Sequence, residues 1–345
     1  MGEWSMALEQ STRALVIGGC GFVGKHLVQQ LLAAGHPVRV FDLQPYPDPQ
    51  VESVVGDLRK AEQVLQACHD VGTVFLCAAA VDWGWGNAQL LHDVNVLGPQ
   101  HVVAACQATG VAQLIYTSSV DVVFEGKPIR AGDEQLPYPK QHLDIYGATK
   151  TAGERLVLAA NGQAGLATSA LRLGGVYGPG DSHRLPSLVN LGKRGPIPRL
   201  GNGSARFSHI YVENAAHGHI LAAQRLTADG AMGGQAYFLV DPNPDNFFLF
   251  LKPIVEALGL RMAKRHVPFG LMHFLAWPSE FWYRTTRSKT RPSLTRYTVT
   301  STCVDFWFTG AKAANDFGYQ PLVDLAEARQ RTIAWAKREF NLGMK

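Results

Sequence analysis

The sequence predicts an α/β fold: a doubly wound parallel sheet with a smaller, discontinuous C-terminal substrate lobe. Three observations carry that prediction. Short apolar runs alternate with longer helical patterns as far as Tyr177. The first run leads into the glycine-rich stretch Gly18-Gly19-Cys20-Gly21-Phe22-Val23-Gly24. After Tyr177 the alternation breaks into Gly/Pro connections at Gly178-Pro179-Gly180, Gly195-Pro196 and Gly201-Asn202-Gly203. Repeated strand–helix–strand units require parallel pairing, with helices over both faces of the sheet.

Taken in order, residues 14–17 read as a buried strand and 22–34 as a helix with Leu27, Leu31 and Leu32 on one side. Strands are expected at 38–41 and 51–55, then a helix to about Cys68 and a strand at 73–77. A helix over 87–109, a strand at 113–116, a helix over 143–160 and a strand at 167–173 follow. Two later apolar stretches, 207–212 and 236–240, are expected to return to the sheet. The division expected is therefore a nucleotide-binding domain over 12–177, rejoined by 207–223 and 236–240, and a lobe from 178–206 and 241–345. A length of 345 residues fits about two domains at roughly 150 residues each.

Composition narrows the function. The net charge of +4 is spread thinly, with no basic face or tail of the kind that holds nucleic acid. The five cysteines form no CxxC and no zinc spacing, so free thiols in a reducing compartment and no metal are expected. Residues 1–13 carry Glu3 and Glu9 and lack the apolar core of a secretory signal. No run reaches the roughly 18 apolar residues that span a bilayer, the nearest being the uncharged 267–279. A chain on the cytoplasmic side, soluble or peripheral on a membrane, is the expectation.

The glycine stretch satisfies GxGxxG and GxxGxxG at once, between a strand and a helix. Gly18, Gly21 and Gly24 let a pyrophosphate approach the backbone N–H groups of Phe22 and Val23 at a helix N-terminus. Asp42 ends the next strand, where a carboxylate accepts both ribose hydroxyls and repels a 2′-phosphate. Leu43 and Gln44 follow, not an arginine, so NAD is favoured over NADP. This is the Rossmann-type arrangement. Asp57 and Leu58 after the third strand are then placed beside the adenine, and Ala78, Ala79 and Ala80 where the cofactor passes close.

Of ten tyrosines, only Tyr146 has a lysine four residues later, Lys150, and that spacing puts both on one helix face. An ammonium beside a phenol favours phenolate, which takes a proton from an alcohol as hydride leaves. Ser118 and Ser119 end the strand expected beside that helix, and a serine there can hydrogen-bond the same substrate oxygen. The two face opposite sides of a strand.

Together these residues resemble the extended short-chain dehydrogenase/reductase family over nearly the whole chain. Three branches compete: nucleotide-sugar epimerases and dehydratases, 3β-hydroxysteroid dehydrogenases, and decarboxylating sterol-4α-carboxylate 3-dehydrogenases. Ile17 stands where the wider family prefers threonine, as in the sterol branch. Val40-Phe41-Asp42, Val123-Phe124-Glu125-Gly126, Val212-Glu213-Asn214 and Gly318 to Val323 are also similar to that branch. The resemblance implies Ser119 as the catalytic serine with Ser118 in reserve, and Asn95 as a helix asparagine at the cofactor site. It places Val176, in Arg172 to Pro179, beside the nicotinamide. Pro99 departs from a common threonine. The arginine that meets the sugar nucleotide's phosphate in epimerases is replaced by Phe207 on alignment, with Arg206 one residue off, and one residue flips a strand side chain to the other face.

What the resemblance implies is oxidation of a 3β-hydroxyl by NAD and loss of CO₂ from the resulting β-keto acid. Hydroxysteroid dehydrogenation with or without isomerisation, sugar-nucleotide epimerisation and a non-catalytic NAD(P) sensor stay open beside it. The partner expected is a lipid-like sterol or steroid, and a homodimer stays open. Aromatic density after Asn246 suits a flat apolar ligand, a membrane surface or core packing, with 267–283 the candidate for membrane contact. If the source is eukaryotic, that membrane is the endoplasmic reticulum. Trp83 and Trp85 are candidates to wall the substrate pocket, while His217 and His219 read as packing residues on a helix.

Overall fold

The computed structural model describes residues 12–82, 87–286 and 294–341, and only the backbone of 282–286. Trp83, Trp85 and the side chains of Trp282 and Tyr283 lie outside the described residues. Seven strands form one parallel sheet: β1 (Arg13–Ile17), β2 (Val38–Asp42), β3 (Glu52–Val55), β4 (Val71–Leu76), β5 (Gln113–Ser119), β6 (Ala167–Leu173) and β7 (Gln235–Leu239). Their order is β7-β6-β5-β4-β1-β2-β3. The strand order reverses direction between β1 and β4, the switch point where such sheets bind ligands beyond their carboxyl ends.

Helices cover both faces, which is why the strands read as unbroken apolar runs. Along β1, Ala14 and Val16 pack with Leu27, Val28 and Leu31 of α1 (Phe22–Ala33). Leu15 and Ile17 point the other way, toward Val64 of α2 (Ala61–Ala67), Val102 and Cys106 of α3 (Gly98–Thr109) and Val157 of α4 (Ile145–Ala159). On the first face α5 (Val212–Arg225) lies against α1, with the Gln30 amide donating to the Glu213 carbonyl at 2.9 Å.

Three expectations change. The strand read as 113–116 extends to Ser119, because Thr117, Ser118 and Ser119 pair with Leu171, Arg172 and Leu173 of β6. The helix read as 87–109 contains a π-helical turn, Asp93–Leu97. The stretch 207–212 does not join the main sheet: His209–Tyr211 pairs with Gly175–Tyr177 in a separate ladder, and Val212 already begins α5. Two further short ladders, Ile197–Leu200 with Met262–Val267 and Ile129–Gly132 with Phe306–Phe308, hold the later chain against the earlier.

Candidate active site and cofactor cleft

A cleft of about 550 Å³ opens at the carboxyl ends of the strands, floored by the glycine loop. Gly18 has φ +86°, and a Cβ there would sit 2.6 Å from the Ala78 nitrogen. A Cβ at Gly24 would collide with the Gly18 carbonyl, and one at Gly21 would lie 3.1 Å from it. The loop can turn this tightly against β4's end and the start of α1 only because these side chains are missing. Helix α1 is capped by Gly21 without a side-chain hydrogen bond and has no acid in its first turn. With Phe22 and Val23 lining the cleft, its N-terminal N–H groups suit a pyrophosphate.

Asp42, Asp57 and Leu58 line the same cleft. The Asp42 carboxylate accepts the Cys20 N–H at 3.0 Å, which ties the acid to the loop. Arg59 also lines this cleft, a cation the sequence reading did not weigh. Its guanidinium is forked onto Asp57 at 2.5–3.0 Å, and that bond holds the Asp57 carboxyl below its ordinary range. A 2′-phosphate would meet Asp42 without a free arginine. The residues present fit NAD.

Ala78, Ala79, Ala80 and Val176 also line the cleft, but Asn95 does not. The π-helical turn buries Asn95, whose carboxamide accepts the Ala80 N–H and donates to the Ala80 carbonyl, both at 2.9 Å, and reaches the Thr149 hydroxyl at 3.2 Å. The expectation of direct cofactor contact is thus corrected. Asn95 clamps the loop that the cofactor passes and links it to α4.

The Asp144 side chain caps α4 by accepting the Gly147 N–H at 2.9 Å, which puts Tyr146 in the first turn. Tyr146, Lys150 and Ser119 meet on the cleft wall. The Ser119 hydroxyl hydrogen-bonds Tyr146 and donates to Asp121 at 2.8 Å. Ser118 turns away and donates to Glu154 at 2.5 Å. Lys150 donates to the Thr117 carbonyl at 2.7 Å and lies 4.1 Å from the centre of the Tyr116 ring.

The electrostatics differ from the expectation. Burial pushes the Tyr146 phenol well up, the Asp121 charge adds to this, and the Ser119 hydrogen bond opposes it. Lys150 is not among the largest influences on it. Burial pulls Lys150 itself down to about 7, against the attraction of Glu154 and Cys77. The spacing Tyr-x-x-x-Lys places both groups on one face, but the ammonium is turned to a backbone carbonyl and desolvated.

Beyond Tyr146 the cleft meets a second chamber of about 530 Å³, and the two share Val81, His183, Arg184, Phe207 and Tyr297 as lining. Leu188, Leu191, Phe247, Phe248 and Met272 make it largely apolar. Arg206 is exposed while Phe207 is buried and faces the chamber, so the neighbour that could meet a sugar nucleotide's phosphate points elsewhere. The late aromatics divide three ways. Phe250, Phe306 and Phe308 are core, Phe247 and Phe248 line the chamber, and Phe269, Phe274, Trp277 and Phe281 are exposed. His219 packs, bridging the Ala215 carbonyl and the Thr117 hydroxyl. Among the described residues there is no metal-ligand cluster.

Sequence reasoning missed Asp121, Arg184 and Tyr297. The Asp121 carboxylate accepts from both Ser119 and Tyr297, the latter at 2.6 Å. Tyr297 comes from the far end of the chain, and no local pattern links the three.

The model of the 3-beta hydroxysteroid dehydrogenase/isomerase family matches residues 15–269. The mouse (Mus musculus) protein named sterol-4-alpha-carboxylate 3-dehydrogenase, decarboxylating, is 36% identical over 331 residues, covering 94% of this chain and 91% of that protein. The 3 beta-hydroxysteroid dehydrogenase/Delta 5-->4-isomerase of Mycobacterium tuberculosis is 38% identical over 340 residues, covering 95% and 91%. Among solved structures, MoeE5 in complex with UDP-glucuronic acid and NAD superposes with a TM-score of 0.73 at 25% identity, covering 95% of this chain and 99% of that one.

Proposed function

The chain belongs to the 3-beta hydroxysteroid dehydrogenase/isomerase family, and from that premise we propose that it oxidises the 3β-hydroxyl of a sterol 4α-carboxylate with loss of CO₂. It is an NAD-dependent oxidoreductase. One observation supports the reading above the rest: Tyr146, Ser119 and Lys150 line a cleft that shares Tyr297 with an apolar chamber, and Tyr297 bonds the same Asp121 as Ser119.

NAD, when bound, supplies the hydride acceptor and a positive charge that favours phenolate. Tyr146 takes the 3β-hydroxyl proton as the C3 hydrogen leaves with its electron pair. Ser119, aligned by Asp121, hydrogen-bonds the same oxygen. Lys150, held on the Thr117 carbonyl and pulled down to about 7 by burial, adds positive charge to this wall of the cleft only while it is protonated. The product is a β-keto acid. Its C4–carboxyl bond breaks, the electron pair moves onto the C3 oxygen as enolate, and CO₂ departs. Tyr146, now protonated, donates a hydrogen bond to that oxygen, where charge develops, and Ser119 donates a second once its hydroxyl turns from Asp121. The proton taken from the hydroxyl balances the one that finally reaches C4.

A second reading, dehydrogenation with double-bond isomerisation, is favoured by Asp121, a cleft carboxylate able to carry a proton. One assay separates the two: NAD⁺ offered with a 4α-carboxysterol, a simple Δ5-3β-hydroxysteroid and UDP-galactose in parallel. CO₂ released in step with NADH supports decarboxylation. A conjugated enone formed from the steroid, without CO₂ from the acid, overturns it. Tyr146→Phe is expected to lower the rate by about 10²–10⁴, and full activity in that variant refutes the assignment.

For the partner and location, the helix α6 (Phe269–Thr286) supports contact with a lipid surface. Phe274, Trp277 and Phe281 are more than half exposed on it, at 71%, 58% and 57%, while Met272 of the same helix lines the chamber. Arg284, Arg287, Lys289 and Arg291 follow in sequence without an acid. An apolar face next to basic residues suits an anionic bilayer, and no helix among the described residues is long and apolar enough to cross one. Co-sedimentation with phosphatidylserine vesicles checks this. Binding that Trp277→Ser with Phe281→Ser abolishes supports it, and equal recovery of both proteins with the vesicles refutes it.

A further inference from the structure

We infer that Arg184 is the cation that reads a carboxylate on the substrate, and so the residue that selects an acidic sterol over a neutral one. This rests on the reaction proposed above. Arg184 opens the helix Arg184–Arg194 and lines both the cofactor cleft and the apolar chamber. Its guanidinium lies 5.1 Å from the ring centre of Phe207 and 5.8 Å from that of Phe247. It fills the space that a Cβ at residue 175 would need, so Gly175 makes room for it.

Among the described residues no carboxylate pairs with this guanidinium. The nearby acids are committed elsewhere. Asp181 accepts the backbone N–H groups of His183, Arg184 and Leu185, and Asp121 accepts from Ser119 and Tyr297. Arg172, which is buried nearby, is treated differently: it is forked onto Glu154 at 2.6–3.2 Å. Desolvation works against the charge on Arg184, and the charges of Asp181 and Asp121 offset part of that loss without either carboxylate bonding the guanidinium. A cation held against two aromatic rings, with no carboxylate bonded to it, suits an anion delivered by the ligand, through the planar fork that matches a carboxylate.

Position fixes which anion. Arg184 and Tyr146 line the same cleft and Arg184 also lines the apolar chamber, so the guanidinium borders the space in which the alcohol is oxidised, and its charge lowers the Tyr146 phenol pKa. A carboxylate on the carbon next to that alcohol lies within the same neighbourhood. As the C4–carboxyl bond breaks, negative charge shifts from the carboxylate to the C3 oxygen. A cation that faces both stays close to the charge throughout.

The test compares a 4α-carboxysterol with its 4α-methyl counterpart, both carrying the 3β-hydroxyl, in the full-length protein with NAD⁺. The readout is the ratio of the two kcat/KM values. For Arg184→Met that ratio is expected to fall by about 100-fold, mostly through KM for the acid. Arg184→Lys, which keeps the charge, is expected to retain more of it, and serves if the methionine variant folds poorly. A purely structural role lowers both substrates alike and leaves the ratio unchanged, which overturns the inference. Loss of NAD affinity as the main effect also overturns it, because the arginine then serves the cofactor. If the wild-type protein shows no preference for the acid and releases no CO₂, the proposed reaction itself fails and the inference falls with it. Preference in the wild type that survives in Arg184→Met sinks the inference alone.

Discussion

Replacing Glu154 by glutamine is expected to remove a large part of the protein's stability, because of what surrounds that one carboxylate. Glu154 is wholly buried and Arg172 retains 4% exposure. The carboxylate accepts Ser118 at 2.5 Å, Tyr138 at 2.7 Å and two nitrogens of Arg172 at 2.6–3.2 Å. Glutamine keeps the shape but turns an NH₂ toward donors and strands the guanidinium. Breaking such a pair from one side costs about 3–5 kcal/mol, a large share of the roughly 5–15 kcal/mol that holds a typical domain. Urea unfolding monitored by tryptophan fluorescence gives the loss as a fall in midpoint at constant slope. The double variant Glu154→Leu with Arg172→Met, which removes both charges, is expected to be more stable than Glu154→Gln alone. A Glu154→Gln protein within about 1 kcal/mol of wild type, or a double variant that merely sums the two single losses, refutes the reasoning.

Gly18→Ala is expected to lose NAD, since φ +86° disfavours any side chain and its Cβ would press on the Ala78 nitrogen at 2.6 Å. Strain of about 1–2 kcal/mol from the backbone alone predicts a Kd weaker by roughly five- to thirty-fold in a fluorescence titration, and unchanged binding contradicts the loop's role. Lys150, pulled down to about 7 by burial, gives a pH dependence with a definite sign. Between about 7 and the ordinary lysine range the unfolded chain binds a proton that the folded chain has lost, so stability of the NAD-free protein rises with pH there. The slope from this group is up to about 1.4 kcal/mol per pH unit. Lys150→Met removes that slope, and a rise that persists in the variant assigns it to another group.

Local features were legible from the sequence. The glycine loop and the pair Tyr146 and Lys150 depend on spacing within one turn or one helix, and Asp42 on its place at the end of the next strand; spacing and order are what a sequence displays. The choice of Ser119 over Ser118 needed the strand register, since β5 runs three residues further than its apolar stretch suggests and its last residues pair with β6. The stretch 207–212 misled because an apolar run says strand or buried helix start equally well, and its pairing partner Gly175–Tyr177 lies outside the main sheet. Asn95 reads as a cofactor residue until the π-helical turn shows its carboxamide occupied by Ala80. The Tyr146 and Lys150 ionisation could not be read at all, because burial dominates both and burial is a property of the assembled fold. The same holds for Arg184 and Tyr297, which only tertiary packing brings to the cleft.

The placement of β7 bears on how this chain comes into being. Residues 167–173 are made long before residues 235–239, yet the second strand covers the edge of the first. Until then the growing sheet ends in a row of unpaired amides and carbonyls, and the apolar side of α1 waits for α5. A fragment stopped after Tyr177 would hold the glycine loop, Tyr146 and Lys150 and still present that open edge, a template for pairing with other chains. Premature termination there is expected to yield an aggregating species rather than a smaller nucleotide-binding protein. On the ribosome, the interval before residue 239 emerges is the one in which a chaperone has most to do.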